Sequence, residues 1–126
     1  MSLILDASAL LALLHQEPGA ETVEQGLDGA LVSAVNWSEV VQKSLKRQAD
    51  VSWMREGFIE VGVVFELFTP AQAELAAHLW DKTRRYGLSL ADRACLALAL
   101  EQSTPVLTAD RAWSKLDLGI DIQFIR

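Results

Sequence analysis

At 126 residues the chain has room for one compact domain, expected to span residues 1–126, and too little for two. Its hydrophobic content of 51% supports a real core, while 11 basic against 17 acidic residues exclude a protein that holds nucleic acid by bulk positive charge. A lone cysteine, Cys95, excludes an intrachain disulfide, and with only His15 and His78 beside it there is no structural zinc set and little for a histidine acid–base mechanism to use.

The chain opens with Ser2–Leu5, a continuous apolar run that reads as a buried parallel strand. The start lacks a basic segment and Asp6 interrupts it, so it is not read as a signal peptide. The uncharged apolar stretch Ala7–Leu14 falls far short of the roughly 20 residues that span a bilayer. A cytoplasmic protein with no membrane partner is the expectation. Ser8–His15 reads as a nearly all-apolar helix, broken by Pro18-Gly19, and Ala20–Leu27 as a second helix with Glu21 and Glu24 on its wet face. Leu31–Ser33 is a short strand. A helix is expected from Asn36 to about Gln48, another over Val51–Glu60, and a strand over Val61–Leu67. Thr69-Pro70 starts a long helix that runs to about Tyr86 and stops at Gly87. Ser89–Glu101 is an Ala/Leu-rich helix, Pro105–Leu107 a strand, Arg111–Lys115 a short helix and Ile122–Ile125 a last strand. Strands alternating with helices indicate an α/β fold, a parallel sheet covered on both faces.

Four acids stand where helices begin: Asp6 in LILDAS, Glu39 in NWSEV, Asp92 in LSLADRA and Asp110 in LTADRAW. Each has a structural reading on its own. Asn36-x-x-Glu39 and Ser89-x-x-Asp92 look like capping boxes, and Asp6 and Asp110 are placed to cap the helices after them. Four independent caps have no reason to converge, however, and Asp6 ends a strand that should be central, where an unpaired carboxylate is costly. In a parallel sheet the carboxyl ends of the strands share one edge, where ligands bind. Acids gathered there need a cation, and hard oxygen ligands suit Mg²⁺ or Mn²⁺. Setting the four aside leaves 13 acidic residues against 11 basic, so the remaining surface is close to neutral.

In order and spacing, Asp6-x-Ser8, Ser38-Glu39-Val40, Ala91-Asp92-Arg93 and Thr108-x-Asp110 resemble the motifs of PIN-domain endoribonucleases, specifically VapC-type toxins of bacterial type II toxin–antitoxin pairs. The resemblance implies a three-layer α/β/α sandwich with a mainly parallel sheet of about five strands. It implies Mg²⁺ or Mn²⁺ held by catalytic Asp6, Glu39, Asp92 and Asp110, with Ser8 and Thr108 orienting the acids. It also implies an RNA substrate, an antitoxin partner and a homodimer. Arg93 and Arg111 adjoin the acids and are candidates for RNA phosphate contact, whereas Lys43, Lys46 and Arg47 read as a solvated helix face. Trp37, Trp53, Met54 and Phe58, with Val41 and Leu45, carry more large apolar groups than two helices need, and the first four are candidates for an antitoxin groove. Val41 and Leu45 read as core. Asp117 reads as a surface acid, and Cys95 as a small buried hydrophobe.

Other classes fit less well. A phosphoacceptor receiver domain needs an acceptor Asp at the end of a central strand and a Lys after a late one. Here Asp50 follows a helix, and Pro105–Leu107 leads to Thr108-Ala109-Asp110 with no Lys. A PIN-domain nuclease of RNA processing or decay, or a PIN-like module that binds without cleaving, stands as the alternative.

Overall fold

Five strands, β1 (Ile4–Leu5), β2 (Leu31–Ser33), β3 (Val64–Glu66), β4 (Val106–Thr108) and β5 (Ile122–Phe124), pair in parallel in the order β3-β2-β1-β4-β5. The computed structural model describes residues 2–126. Among the described residues seven helices cover the sheet: α1 (Ala7–Leu14), α2 (Ala20–Gln25), α3 (Ala34–Lys46), α4 (Met54–Glu60), α5 (Pro70–His78), α6 (Trp80–Thr83) and α7 (Leu90–Gln102), with 3-10 turns at Arg84–Tyr86 and Arg111–Lys115.

The two central strands sort the core by strand period. Ile4 and Val106 point to one face, into a cluster with Leu96 and Leu98 of α7, Leu79 and Trp113. Leu5 and Leu107 point to the other, where Leu10 and Leu11 of α1 meet Val23, Met54 and Phe58. Both faces are buried, which is why these strands read as continuous apolar runs. Full burial of each such side chain contributes about 1.5–3 kcal/mol. Helix α3 touches both α1 and α7, and so closes one side of the sheet's carboxyl edge.

Register follows from the chain's route. It runs β1, β2, β3 outward on one side, then returns to place β4 against β1 on the other, pairing Ile4 with Val106 and Leu5 with Leu107. The boundary between β1 and β4 is therefore the topological switch point of the sheet, the usual place for a crevice. At the start of α2, Gly19 adopts φ 96°, and a Cβ there would come within 2.7 Å of Ile125, which follows β5.

The long helix expected from Pro70 to Tyr86 is divided. Thr69 caps it as expected, its hydroxyl accepting from Gln72 N at 3.1 Å. The buried Thr83 hydroxyl then donates to Leu79 O at 2.8 Å, a back-bond of the kind that bends helices, and the chain tightens into the 3-10 turn before Gly87. The helix expected from Val51 starts at Met54, because the Asp50 side chain accepts from Ser52 N and Oγ and folds that stretch into a turn. The strand expected over Val61–Leu67 is ordered as strand only at Val64–Glu66.

Candidate active site

Asp6 leaves β1 at the switch point and is 3% exposed. Its Oδ1 accepts from Ala9 N at 2.9 Å, which caps α1, and from Ser8 Oγ at 2.7 Å. Its Oδ2 accepts from Thr108 Oγ1, at the end of β4, at 2.5 Å. The same two hydroxyls accept in turn: Ser8 Oγ from Ala109 N at 2.9 Å, and Thr108 Oγ1 from Asp110 N at 3.0 Å. One buried knot thus ties the ends of β1 and β4 together. Burial pushes the Asp6 carboxyl up to about 6 despite these donors, and the charge of Asp92 adds to the rise.

Asp92 sits in the first turn of α7 within a complete capping box. Its Oδ2 accepts from Ser89 N at 2.9 Å, and Ser89 Oγ accepts from Asp92 N at 3.1 Å. Gly87, at φ 74°, turns the chain into this cap. Burial raises the Asp92 carboxyl above the usual carboxylate range. The Ser89 hydrogen bonds oppose that rise, and the charges of Glu39 and Asp110 add to it.

Glu39 reaches the same place from α3. That helix begins two residues earlier than the sequence suggested, with Ser33 as its cap, accepting from Val35 N at 3.3 Å. Asn36 is therefore inside the helix and 1% exposed, and its Nδ2 donates to Ala91 O at 3.0 Å. This bond fixes α3 against the start of α7, and so fixes Glu39 relative to Asp92. Asn36 thus joins the helices that carry Glu39 and Asp92, a contact hidden by its resemblance to a cap; its one-turn spacing from Glu39 was the available signal. Lys43, one turn further on, pairs with Glu39 at 3.0 Å. Asp110, exposed, caps the turn after β4 by accepting from Ala112 N at 3.0 Å.

The four acids line one cavity of about 210 Å³, together with Ser8, Lys43 and Ser89. A larger cavity of about 750 Å³ lies elsewhere, between Lys82–Tyr86 and Lys115–Leu118, and Asp117 lines that one. The chemistry is assigned to the smaller cavity, because there a buried carboxylate, Asp6, meets further carboxylates whose charges repel one another. Three of the four acids cap a helix or turn, as their isolated readings suggested, and converge as well. Capping and convergence are compatible because both place a carboxylate at a helix start on one sheet edge.

The donor set fits a hard divalent cation in its chemistry: oxygen ligands only, and more negative charge than Lys43 neutralises. Among the described residues no group of three or more His, Cys, Asp or Glu side chains stands close enough together to hold a metal ion, so the four acids share a cavity without a preformed ligand cage.

Neither arginine beside the acids lines this cavity. Arg93 sends Nη1 to Ala76 O at 2.9 Å and buries its Nε, so its head is committed to packing α7 on α5. The Arg111 guanidinium lies over the Phe124 ring, 4.5 Å from its centroid. Met54 and Phe58 are 2% and 5% exposed, so they belong to the core and do not line an open groove. Trp37 packs edge-on to Phe58 and against Phe65, and together with Val41 it lines a shallow cavity of about 230 Å³ between α3 and α4. Trp53 and Leu45 are exposed, each at 55%, so the core reading of Leu45 fails. Cys95 is buried, and burial pushes its thiol up, with Asp6 and Asp92 adding to the effect, so it is no nucleophile.

A model of the PIN domain matches residues 3–118. The chain belongs to the PIN-domain family. No curated protein is matched by the sequence. Among solved structures, the PIN fold is shared with a toxin–antitoxin complex from Klebsiella pneumoniae (TM-score 0.74, 18% identity, 99% of this chain and 98% of that one). It is shared equally with a DNA-bound VapBC from Salmonella typhimurium (TM-score 0.72, 16% identity, 100% and 99%). A sarcin-ricin-loop-cleaving VapC toxin from Mycobacterium tuberculosis also has it (TM-score 0.73, 15% identity, 95% and 99%). No helix among the described residues is long and apolar enough to cross a membrane.

Proposed function

We propose that this PIN domain is a divalent-metal-dependent endoribonuclease that acts as the toxin of a toxin–antitoxin pair. The observation that carries the reading is the convergence of Asp6, Glu39, Asp92 and Asp110 from four separate elements into one small cavity at the switch point of the sheet. The likeness to toxin–antitoxin structures supports the biological half of the proposal.

The four carboxylates are the residues to hold Mg²⁺ or Mn²⁺. Bound there, the metal would supply Lewis acidity toward a phosphoryl oxygen and a water of lowered pKa. The chain's own part is preorganisation. Ser8 and Thr108 aim both oxygens of Asp6, and the Ser89 box aims Asp92. Asn36 sets the distance between the helices that carry Glu39 and Asp92. With no nucleophile drawn from the ribose, the expected products carry 5′-phosphate and 3′-hydroxyl ends. The partners in this reading are an RNA, a cognate antitoxin and a second copy of the chain.

The test is cleavage of RNA by purified protein with Mg²⁺ or Mn²⁺. EDTA should stop it, and Asp92→Asn should abolish it while the fold is retained. Undiminished cleavage in EDTA, or by the Asn variant, would sink the metal site. Stable folding and antitoxin binding without any metal-dependent cleavage would favour the non-catalytic module.

A further inference from the structure

We infer that a cationic cleft between α1 and the C-terminal half of α3 is the track that carries the RNA backbone to the acidic cavity; the inference rests on the nuclease reading above. The cleft has a volume of about 380 Å³ and is walled by His15, Lys43, Lys46, Arg47 and Arg126, with Glu17 the one acid. It shares two lining residues, Ser8 and Lys43, with the acidic cavity, so the two adjoin at these side chains.

Helix geometry gives this adjacency a direction. Glu39, Lys43 and Lys46 of α3 and its C-cap residue Arg47 stand at i, i+4, i+7 and i+8, which places them on one stripe. That stripe starts at a proposed metal ligand and runs along the helix for about 12 Å. A strand held on it presents its phosphates to cations before reaching the carboxylates, which would otherwise repel it. In a chain of net charge −6, such local placement has to supply what bulk charge does not.

The cations differ in their commitments. Lys43 is paired with Glu39, and Arg126 with Glu17 at 3.5 Å and Pro18 O at 2.9 Å. Lys46 and Arg47 have no ion pair among the described residues and are exposed. The other basic surface, along the larger cavity, is only partly committed, since its Lys82 and Lys115 have no ion pair among the described residues. There Arg84 pairs with Asp81 at 3.5 Å and lies over Trp80, and Arg85 lies over Tyr86. That cavity shares no lining residue with the acidic one. Lys43, Lys46 and Arg47 are solvated as the sequence suggested, and the inference gives that exposed face the phosphate contacts that Arg93 and Arg111 are not placed to make.

The experiment measures binding of a short labelled RNA across a salt series, in an Asp92→Asn background that prevents cleavage. Lys46→Gln with Arg47→Gln should weaken binding about 10-fold and lower the slope of log affinity against log salt by about 1.4, as for two lost single-strand phosphate contacts. In the cleaving protein, the same pair should raise KM and leave kcat within about 2-fold. Lys82→Gln with Arg85→Gln serves as the comparison and should change affinity by less than about 2-fold. Circular dichroism and melting check the fold. If the double variant fails to fold, each single variant should still weaken binding about 3-fold. The track is overturned if the α3 variants bind RNA as the parent does, if the loss falls on the Lys82 pair, or if the α3 variants lose only antitoxin binding. A parent protein that cleaves no RNA overturns the nuclease reading itself, whereas an active parent with indifferent α3 variants overturns the track alone.

Discussion

Asp6 and Glu39 line the same cavity under opposite conditions. Asp6 is 3% exposed and takes three protein donors, from Ser8, Ala9 and Thr108. The Glu39 side chain is 27% exposed and is held by a single ion pair to a lysine that is itself 54% exposed. The buried end is built into the sheet, joined to β1 and β4, and cannot move without disturbing both. The open end is a pair of long side chains on a helix surface, free to rearrange when a cation or phosphate arrives. A site that must hold metal and also admit a polymer needs both kinds of wall: a rigid one to fix ligand direction and a compliant one to let substrate in.

The largest effect should come from breaking the rigid end. Asp6→Asn should reduce metal-dependent cleavage by more than about 100-fold, beyond the usual loss for a residue that only supports a ligand. It should also remove a pH dependence. The folded-state pKa of Asp6 is raised from 3.8 to about 6, so between those values the folded chain binds more protons than the unfolded chain. Stability without metal therefore contains a contribution that is fully present below about pH 4 and is lost as pH rises through 6, up to about 3 kcal/mol. Denaturant titrations of metal-free protein at pH 4 and pH 7 should show this difference in the parent relative to the variant. Equal pH dependence in the two would mean that Asp6 is not the strained group.

A smaller effect is expected from cutting one support while keeping the ligand. Thr108→Val removes the donor to Asp6 Oδ2 and the acceptor for Asp110 N. An unsatisfied buried acceptor costs about 1–3 kcal/mol. Loss of orientation should cost cleavage or metal affinity about 10–100-fold. Calorimetric titration with Mn²⁺ and a melting curve would read both, and wild-type values in both would demote the knot to ordinary turn bonding.

The smallest effect should come from the open end. Lys43→Ala breaks the pair to Glu39, yet a surface i,i+4 pair contributes only about 0.3–0.5 kcal/mol, so metal-free stability should barely move. Divalent affinity should rise, because the competing ammonium has gone. If instead the variant melts as badly as Thr108→Val, the contrast between the two ends is wrong.

Much of this was legible in the residues. The strand starts near Ile4 and Leu31, the α7 cap at Ser89 and the placing of acids at helix starts follow from apolar runs, turn residues and helix-start chemistry, which are local effects. The errors were equally local in origin. Asn36 looked like a cap because caps and mid-helix polar residues share the same side chains; only the packing of α3 on α7 showed that it bonds Ala91 O instead. Arg93 looked free because nothing in the sequence announces that α5 offers a carbonyl to it. Met54 and Phe58 were apolar on a helix, and pattern alone does not say whether such a face meets water or the sheet.

What the sequence determined by itself was the alternation of strand and helix and the supply of carboxylates at helix starts, since both depend on neighbours a few residues apart. The tertiary structure decided which groups meet. Placing β4 against β1 brought Thr108 to Asp6 across 102 positions, and the passage of α3 beside α7 brought Glu39 toward Asp92. The burial that lifts Asp6 to about 6 and the unpaired cations along α3 exist only once those surfaces close, because desolvation and charge proximity are properties of the assembled cavity and of no single segment.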